Sequence, residues 1–248
     1  MSKLTSVLSV LIVFTVWHIL ASHQIISPEF FPSPFTVLNR LFILLNETSF
    51  LKDIGQSGIR LLIATLLSVF SAAALSFLCA HNKLIDKMIT PFVGLTYPLP
   101  KVAIIPLLML IFGIGNFSKI VIISIGMFYL LFIHLRHSIK FLINSPLALP
   151  VHIYKVKGKN YYFHFLFKGI LLDFFKSFKV AIGYGLTLVV VSELSMTREG
   201  IGNFIWKSWD QFRILDMYAG VYFLCLLGLL IYSLLDYLIA KLTPRYYT

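Results

Sequence analysis

The sequence predicts an all-α, polytopic membrane protein with about six transmembrane helices, on three observations. First, 58% of its residues are hydrophobic and only 12% are charged, with a mean hydropathy of +0.89, whereas a soluble domain carries about 25% charged residues. Such a chain has too little polar surface to face water all round. Second, its 248 residues divide into apolar runs near the ~20 residues that cross a bilayer as a helix, leaving no room for a sizeable soluble domain. Third, lysine and arginine gather in alternate connections between those runs, the asymmetry that marks the cytoplasmic side.

The apolar runs, bounded by polar or Gly/Pro punctuation, lie near 4–21, 57–80, 88–112, 118–135, 170–194 and 216–240. The first follows Lys3 and looks like the core of a secretory signal. It is long for one, however, and Trp17, His18 and Ile19 stand where small residues would mark cleavage, so it is read as a retained span. Next, Pro28, Pro32 and Pro34 open a segment in which Thr36 to Leu45 places apolar residues at helical spacing, as in a helix lying along the interface.

The third run is unusual, because Pro91, Pro98, Pro100 and Pro106 punctuate it and Lys101 lies near its middle. Each internal proline removes a backbone donor and clashes with the preceding turn. In lipid such a helix survives only where protein or a water-filled cavity satisfies the freed groups. Two readings stay open: a kinked helix packed inside a bundle, or a helix lining a solute path.

The loops set the expected orientation. Lys83 and Lys87 follow the second run, and Arg136, Lys140, Lys155, Lys157, Lys159 and Lys168 follow the fourth, continuing into Lys176 and Lys179 against the single acid Asp173. The other connections are balanced. With Lys3 at one end and Lys241 and Arg245 at the other, both termini are expected in the cytoplasm. The formal charge of +11 is thereby a topology signal; its positive residues are interleaved with apolar runs and offer no solvated face for a phosphate backbone, so no nucleic-acid partner is expected.

Motifs for chemistry are missing. There is no G-x-x-x-x-G-K-[ST], H-E-x-x-H, G-x-S-x-G or C-x-x-C, and ten acidic residues leave few candidates for paired-carboxylate work. No cofactor or metal is expected, and any ATP must be handled by another polypeptide. Cys79 and Cys225 sit inside apolar runs as inert thiols. His134, His137, His152 and His164 form no metal-ligand spacing. The stretch Gly113-Ile114-Gly115-Asn116-Phe117 recurs as Gly200-Ile201-Gly202-Asn203-Phe204; both copies read as tight turns joining spans.

Ionisable groups within the runs carry the remaining information, since a charge at the bilayer centre costs roughly 2.5–3.5 kcal/mol. Asp236 lies close to the expected cytoplasmic end of its run, Glu193 lies at the outer end of the fifth, and Lys179 can snorkel. Lys101 has the least obvious escape. It carries the sharper hypothesis, a positive group facing a polar path that favours an anionic or strongly polar solute, against the plainer one of structural pairing. Pro98, Pro100, Lys101, Pro106 and Glu193 are the path candidates.

Taken together, Tyr97-Pro98-Leu99-Pro100-Lys101-Val102-Ala103-Ile104-Ile105-Pro106-Leu107, followed by Phe112-Gly113-Ile114-Gly115 and Ser118-Lys119-Ile120, resembles the membrane subunits of ABC importers of the nitrate/sulfonate/taurine type. Pro32-Ser33-Pro34, Phe178-Lys179-Val180-Ala181-Ile182-Gly183 and Ser192-Glu193-Leu194 extend the resemblance over most of residues 30 to 240. It implies the type I ABC importer permease fold: residues 1–52 as the first transmembrane helix with an outer interfacial helix, and 53–245 as the transport permease domain. It further implies a permease homodimer in contact with lipid in the bacterial cytoplasmic (inner) membrane, cytoplasmic ABC ATPase subunits, a periplasmic or extracellular solute-binding protein, and alternating access.

The short cytoplasmic helix by which such permeases engage their ATPase carries a Glu-Ala-Ala pattern, a glycine and a later Leu-Pro pair. Here Gly158 fits the glycine, and the triplet position falls on His152, Ile153 and Tyr154 or, aligned on Pro146, on Pro150, Val151 and His152. No Leu-Pro follows. The coupling surface is therefore expected to rest on Val151, Ile153 and Tyr154, and the degenerate pattern raises an alternative, a non-transporting membrane scaffold derived from such a permease.

Overall fold

A computed structural model describes residues 3–23, 27–149, 153–154, 156, 158–194 and 199–242. The described residues are almost entirely helical and contain no strand. The helices are α1 (Lys3–Ser22), α2 (Pro34–Leu44), α3 (Thr48–His81), α4 (Lys83–Thr96), α5 (Ile105–Phe112), α6 (Asn116–Asn144), α7 (Lys168–Glu193), α8 (Ile201–Asp210) and α9 (Ile214–Leu242). A π-type segment, Asn160–Phe167, runs directly into α7. Four continuous helical stretches are long and apolar enough to cross a membrane: Thr48–His81, Asn116–Asn144, Asn160–Glu193 and Ile214–Leu242. The pair Lys83–Thr96 and Lys101–Phe112, bent by 95°, is apolar enough only when its two helices are taken together, as a broken span or a re-entrant loop. The 20-residue α1 stands where the first span is expected.

The helices overrun the apolar windows at several ends. The second begins at Thr48 rather than near 57, and the fourth continues to Asn144 rather than stopping near 135. The fifth begins at Asn160 rather than near 170. Hydropathy detects only the stretch that suits lipid, whereas backbone hydrogen bonding carries a helix on into polar sequence. The basic connection expected over 136–168 thus shortens: Arg136 and Lys140 belong to α6, and Lys168 opens α7.

The chain forms two compact units, residues 1–57 with 197–227, and 58–196 with 228–248. In the first, Ser33 caps α2 by accepting from the Thr36 amide at 3.3 Å, with Pro34 in the first turn where no amide is needed. Val37, Leu41 and Leu44 form the buried stripe of α2. Leu41 and Leu44 pack with Phe50, Ile201 and Ala219, and Phe50 meets the rings of Phe204 and Phe223 at 4.8 and 5.7 Å. Arg40 donates to Asp216 at 2.5 Å, a bond that raises the arginine's pKa above its ordinary value.

The second copy of the Gly-Ile-Gly-Asn-Phe sequence does more than turn the chain. Gly200, at φ 123°, opens α8, whose first amides are taken by α3: Gly200 N donates to Asp53 Oδ1 at 2.6 Å and Ile201 N to Ser57 Oγ at 2.9 Å. Only a residue without Cβ tolerates that backbone angle. The expectation of a plain turn is corrected here: Ile201, Phe204 and Ile205 lie at helical spacing and pack inward, and a short helix suffices to bury them.

In the second unit α6 and α7 form the central pair. Ile122, Ile123, Met127 and Leu131 face Ala181, Ile182, Leu188 and Val189 in one buried cluster. Small residues permit the approach, as is usual for helices associating in lipid. A Cβ at Gly126 would strike Tyr184 and Leu188, and one at Gly185 would lie 2.7 Å from Met127 Sδ.

Candidate translocation site and coupling segment

The bend between α4 and α5 follows from its prolines. Pro100 has no amide to offer the Thr96 carbonyl one turn earlier, so the helix cannot continue. Pro106, in the first turn of α5, loses nothing by lacking one. The carbonyls freed at the end of α4 are collected by one side chain: Lys101 Nζ donates to Thr96 O, Tyr97 O and Leu99 O at 3.0, 2.9 and 3.0 Å. Its ammonium also lies 4.2 Å from the centre of the Tyr129 ring. Lys101 is 4% exposed. Tyr129 of α6 further donates to Thr96 Oγ1 at 2.7 Å, fastening the end of α4 to the central pair.

Pro98, Pro100 and Lys101 line one cavity of about 520 Å3 with Tyr97, Tyr129 and Tyr184. Its wall combines three tyrosines with the proline-bent backbone. Pro106 and Glu193 are not among its lining residues. Lys101 contributes charge at this wall while its ammonium is directed to carbonyls of its own bend, the pairing reading for its nitrogen.

Glu193 belongs to a separate buried cluster. Its carboxylate accepts from Arg60 Nη1 at 2.5 Å, with the two side chains 0% and 4% exposed. Arg60 Nε donates to Asn116 Oδ1 at 2.9 Å, and Lys119, equally buried, donates to Gly115 O at 3.4 Å. Sequence reasoning did not place Arg60 and Lys119 in this buried cluster with Glu193. Arg60 stands inside an apolar run, and an ionisable residue there is the signal that could have found it. Two further charge groups tie the second unit together. Asp86 of α4 pairs with Arg136 at 2.6 Å and with Lys140, both on α6. Lys179 pairs with Asp236 at 2.5 Å, so these two answer each other.

Of the expected coupling residues, Pro150, Val151 and His152 lie outside the described residues. Ile153 and Tyr154 are strongly exposed, Tyr154 to 79%, and Gly158 turns the chain at φ 63°.

Residues 64–247 match the model of the family described as binding-protein-dependent transport system inner membrane component. The chain belongs to this family. Along nearly its whole length it is similar to curated permeases. It is 25% identical to the taurine transport system permease protein TauC of Escherichia coli, over 94% of this chain and 86% of that protein. It is 24% identical to the formylaminopyrimidine transport permease protein ThiX of Halalkalibacterium halodurans, over 89% and 87%, and 23% identical to the nitrate import permease protein NrtB of Synechocystis, over 95% and 88%. It is an ABC importer permease subunit of the nitrate/sulfonate/taurine type, a multi-pass protein of the cytoplasmic membrane.

Proposed function

We propose that this permease forms the translocation path of an ATP-driven importer, with the α4–α5 bend as the wall that faces the solute. The observation that carries this reading is the proline-broken helix held open by Lys101 over a tyrosine-lined cavity. Irregular backbone at membrane depth is tolerated where it lines a cavity. Two copies of the chain pair, the basic end of α6 and the start of α7 face the cytoplasm, and ATPase subunits press on the segment around Ile153 and Tyr154. A solute-binding protein delivers cargo on the opposite side, and the path opens to each side in turn. The cargo is a small polar solute, in keeping with relatives named for taurine, nitrate and formylaminopyrimidine.

The test uses Val180, an exposed residue on the cavity wall. Val180→Cys, in a background with Cys79 and Cys225 replaced by alanine, is labelled with a membrane-impermeant maleimide from each side, with and without trapping by ATP and vanadate. The accessible side should exchange on trapping. Labelling from one side only, at an unchanged rate in both states, contradicts alternating access. A second reading, a membrane scaffold that has lost its motor, is favoured by one observation, the absence of the Glu-Ala-Ala and Leu-Pro signature around Gly158; it predicts that no ATPase is retained at all.

A further inference from the structure

Between α3, α6 and the segment that opens α7, the second unit holds an apolar groove of about 510 Å3, with Phe70, Phe77, Ile139, Tyr162, Phe167 and Phe174 among its walls. No acidic or basic side chain lines it. The π-type turn over Asn160–Phe167 contributes two of these rings; its wider coil sets Tyr162 and Phe167 off the line an α-helix would give them, and such turns cluster at functional sites. Phe70, Tyr162 and Phe167 are exposed by 71%, 47% and 50%.

One end of the groove has a different character. There Phe77 lies 5.5 Å from Tyr162 and 4.2 Å from His81, ring to ring, and Tyr161 lies 5.1 Å from Tyr162. In the chain, Lys83 and Lys159 lie two residues from these rings and Lys168 directly follows the wall residue Phe167; all three are exposed. Arg136 and Lys140 share Asp86, but these three lysines form no ion pair among the described residues. The surface thus offers a dry slot that ends in tyrosines and unneutralised positive charge.

We propose that this groove retains an anionic phospholipid, one acyl chain lying along Phe70, Phe77 and Phe174 and the phosphate meeting Lys159 and Lys168. The chemistry is two-part: an aliphatic chain suits the slot, tyrosine suits the headgroup level, and a basic rim attracts an anionic headgroup over a zwitterionic one. A second copy of this chain is the weaker occupant, because a symmetric contact here would bring the same uncompensated lysines face to face. The inference stands independently of the transport reading.

The test uses the full chain in detergent, supplemented with phosphatidylglycerol carrying a photoreactive diazirine near the chain end, or with phosphatidylcholine bearing the same chain; adducts are mapped by peptide mass spectrometry. Phosphatidylglycerol should label the peptides holding Phe70, Phe77 and Phe174 at least fivefold more than phosphatidylcholine does. Ala73→Trp, which fills the groove, should lower those adducts about fivefold while leaving adducts at the exposed Leu229 and Leu230 unchanged. Lys159→Gln with Lys168→Gln, both at the surface and harmless to folding, should abolish the preference between lipids while groove labelling persists. Equal labelling of the groove by both lipids in the wild type overturns the proposal. So does a groove that stays unlabelled while Phe70→Cys cross-links two copies by a disulfide.

Discussion

Replacing Lys101 by methionine separates the two roles open to this residue. Methionine keeps most of the aliphatic stem and removes the ammonium that holds Thr96, Tyr97 and Leu99 carbonyls at 2.9–3.0 Å. Hydrogen bonds from a charged donor contribute roughly 1.5–3 kcal/mol each and are not additive. The contact with the Tyr129 ring, at 4.2 Å, adds about 0.5–2 kcal/mol. Against this stands the cost of burying the ammonium, which the variant no longer incurs, so the net loss is about 3 kcal/mol, near the lower end for breaking a buried charge partnership. For a chain of this length that corresponds to a fall of about 6 °C or more in the unfolding midpoint, read in detergent by tryptophan fluorescence. Lys101→Arg keeps the charge but presents a planar fork to carbonyls arranged around a point donor, and should lose part of the same stability. Uptake should fall in step with the folded fraction. If Lys101→Met melts like the wild type and yet abolishes uptake, the ammonium acts on the solute and does not hold the bend.

Three other outcomes are expected. Arg60→Leu and Glu193→Leu should each destabilise the protein by about 3–5 kcal/mol, because each strands a buried charge; the double variant should recover most of the loss, whereas additive unfolding shifts would show that the pair is not coupled. In intact cells, single cysteines at Phe141 and Ile153 should resist an impermeant thiol reagent while those at Ile114 and Trp206, all four exposed, should react; the reverse pattern would invert the proposed orientation. Tyr154→Ala should weaken retention of the ATPase by about 2 kcal/mol, roughly 30-fold in affinity, if the exposed ring is an interface anchor. Lys157→Gln should leave it unchanged, and equal recovery of both variants on co-purification would remove Tyr154 from the docking surface.

The long apolar runs and the proline-broken third span were legible in the sequence, because both follow from local rules: lipid selects apolar stretches of a fixed length, and Pro98 and Pro100 cannot donate. The amphipathic α2 was legible for the same reason, in the spacing of Val37, Leu41 and Leu44. What escaped depends on partners far away in the chain. Arg60 and Glu193 are 133 residues apart, and nothing local in either sequence neighbourhood names the other. Lys101 was singled out by its position, but its partners are carbonyls, which carry no sequence signature at all. Helix α8 was missed because the glycines that open it were read as punctuation only, while its N-terminus is satisfied by Asp53 and Ser57 of α3. The ends of α6 and α7 were set too short because a hydropathy window stops at the first basic residues, Arg136 and Lys168, where the backbone ladder does not.

The central claim is that this chain is the membrane subunit of a working ATP-driven importer, and its direct test is a functional one on the assembled complex. The permease, affinity-tagged and purified from its native membrane, is analysed for associated chains and then reconstituted into vesicles with them. The account predicts recovery of an ATPase subunit whose hydrolysis rises several-fold on adding a solute-loaded binding protein, together with ATP-dependent accumulation of that solute. Purification of an intact, folded permease with no ATPase, or an ATPase whose rate ignores the loaded binding protein, would contradict it.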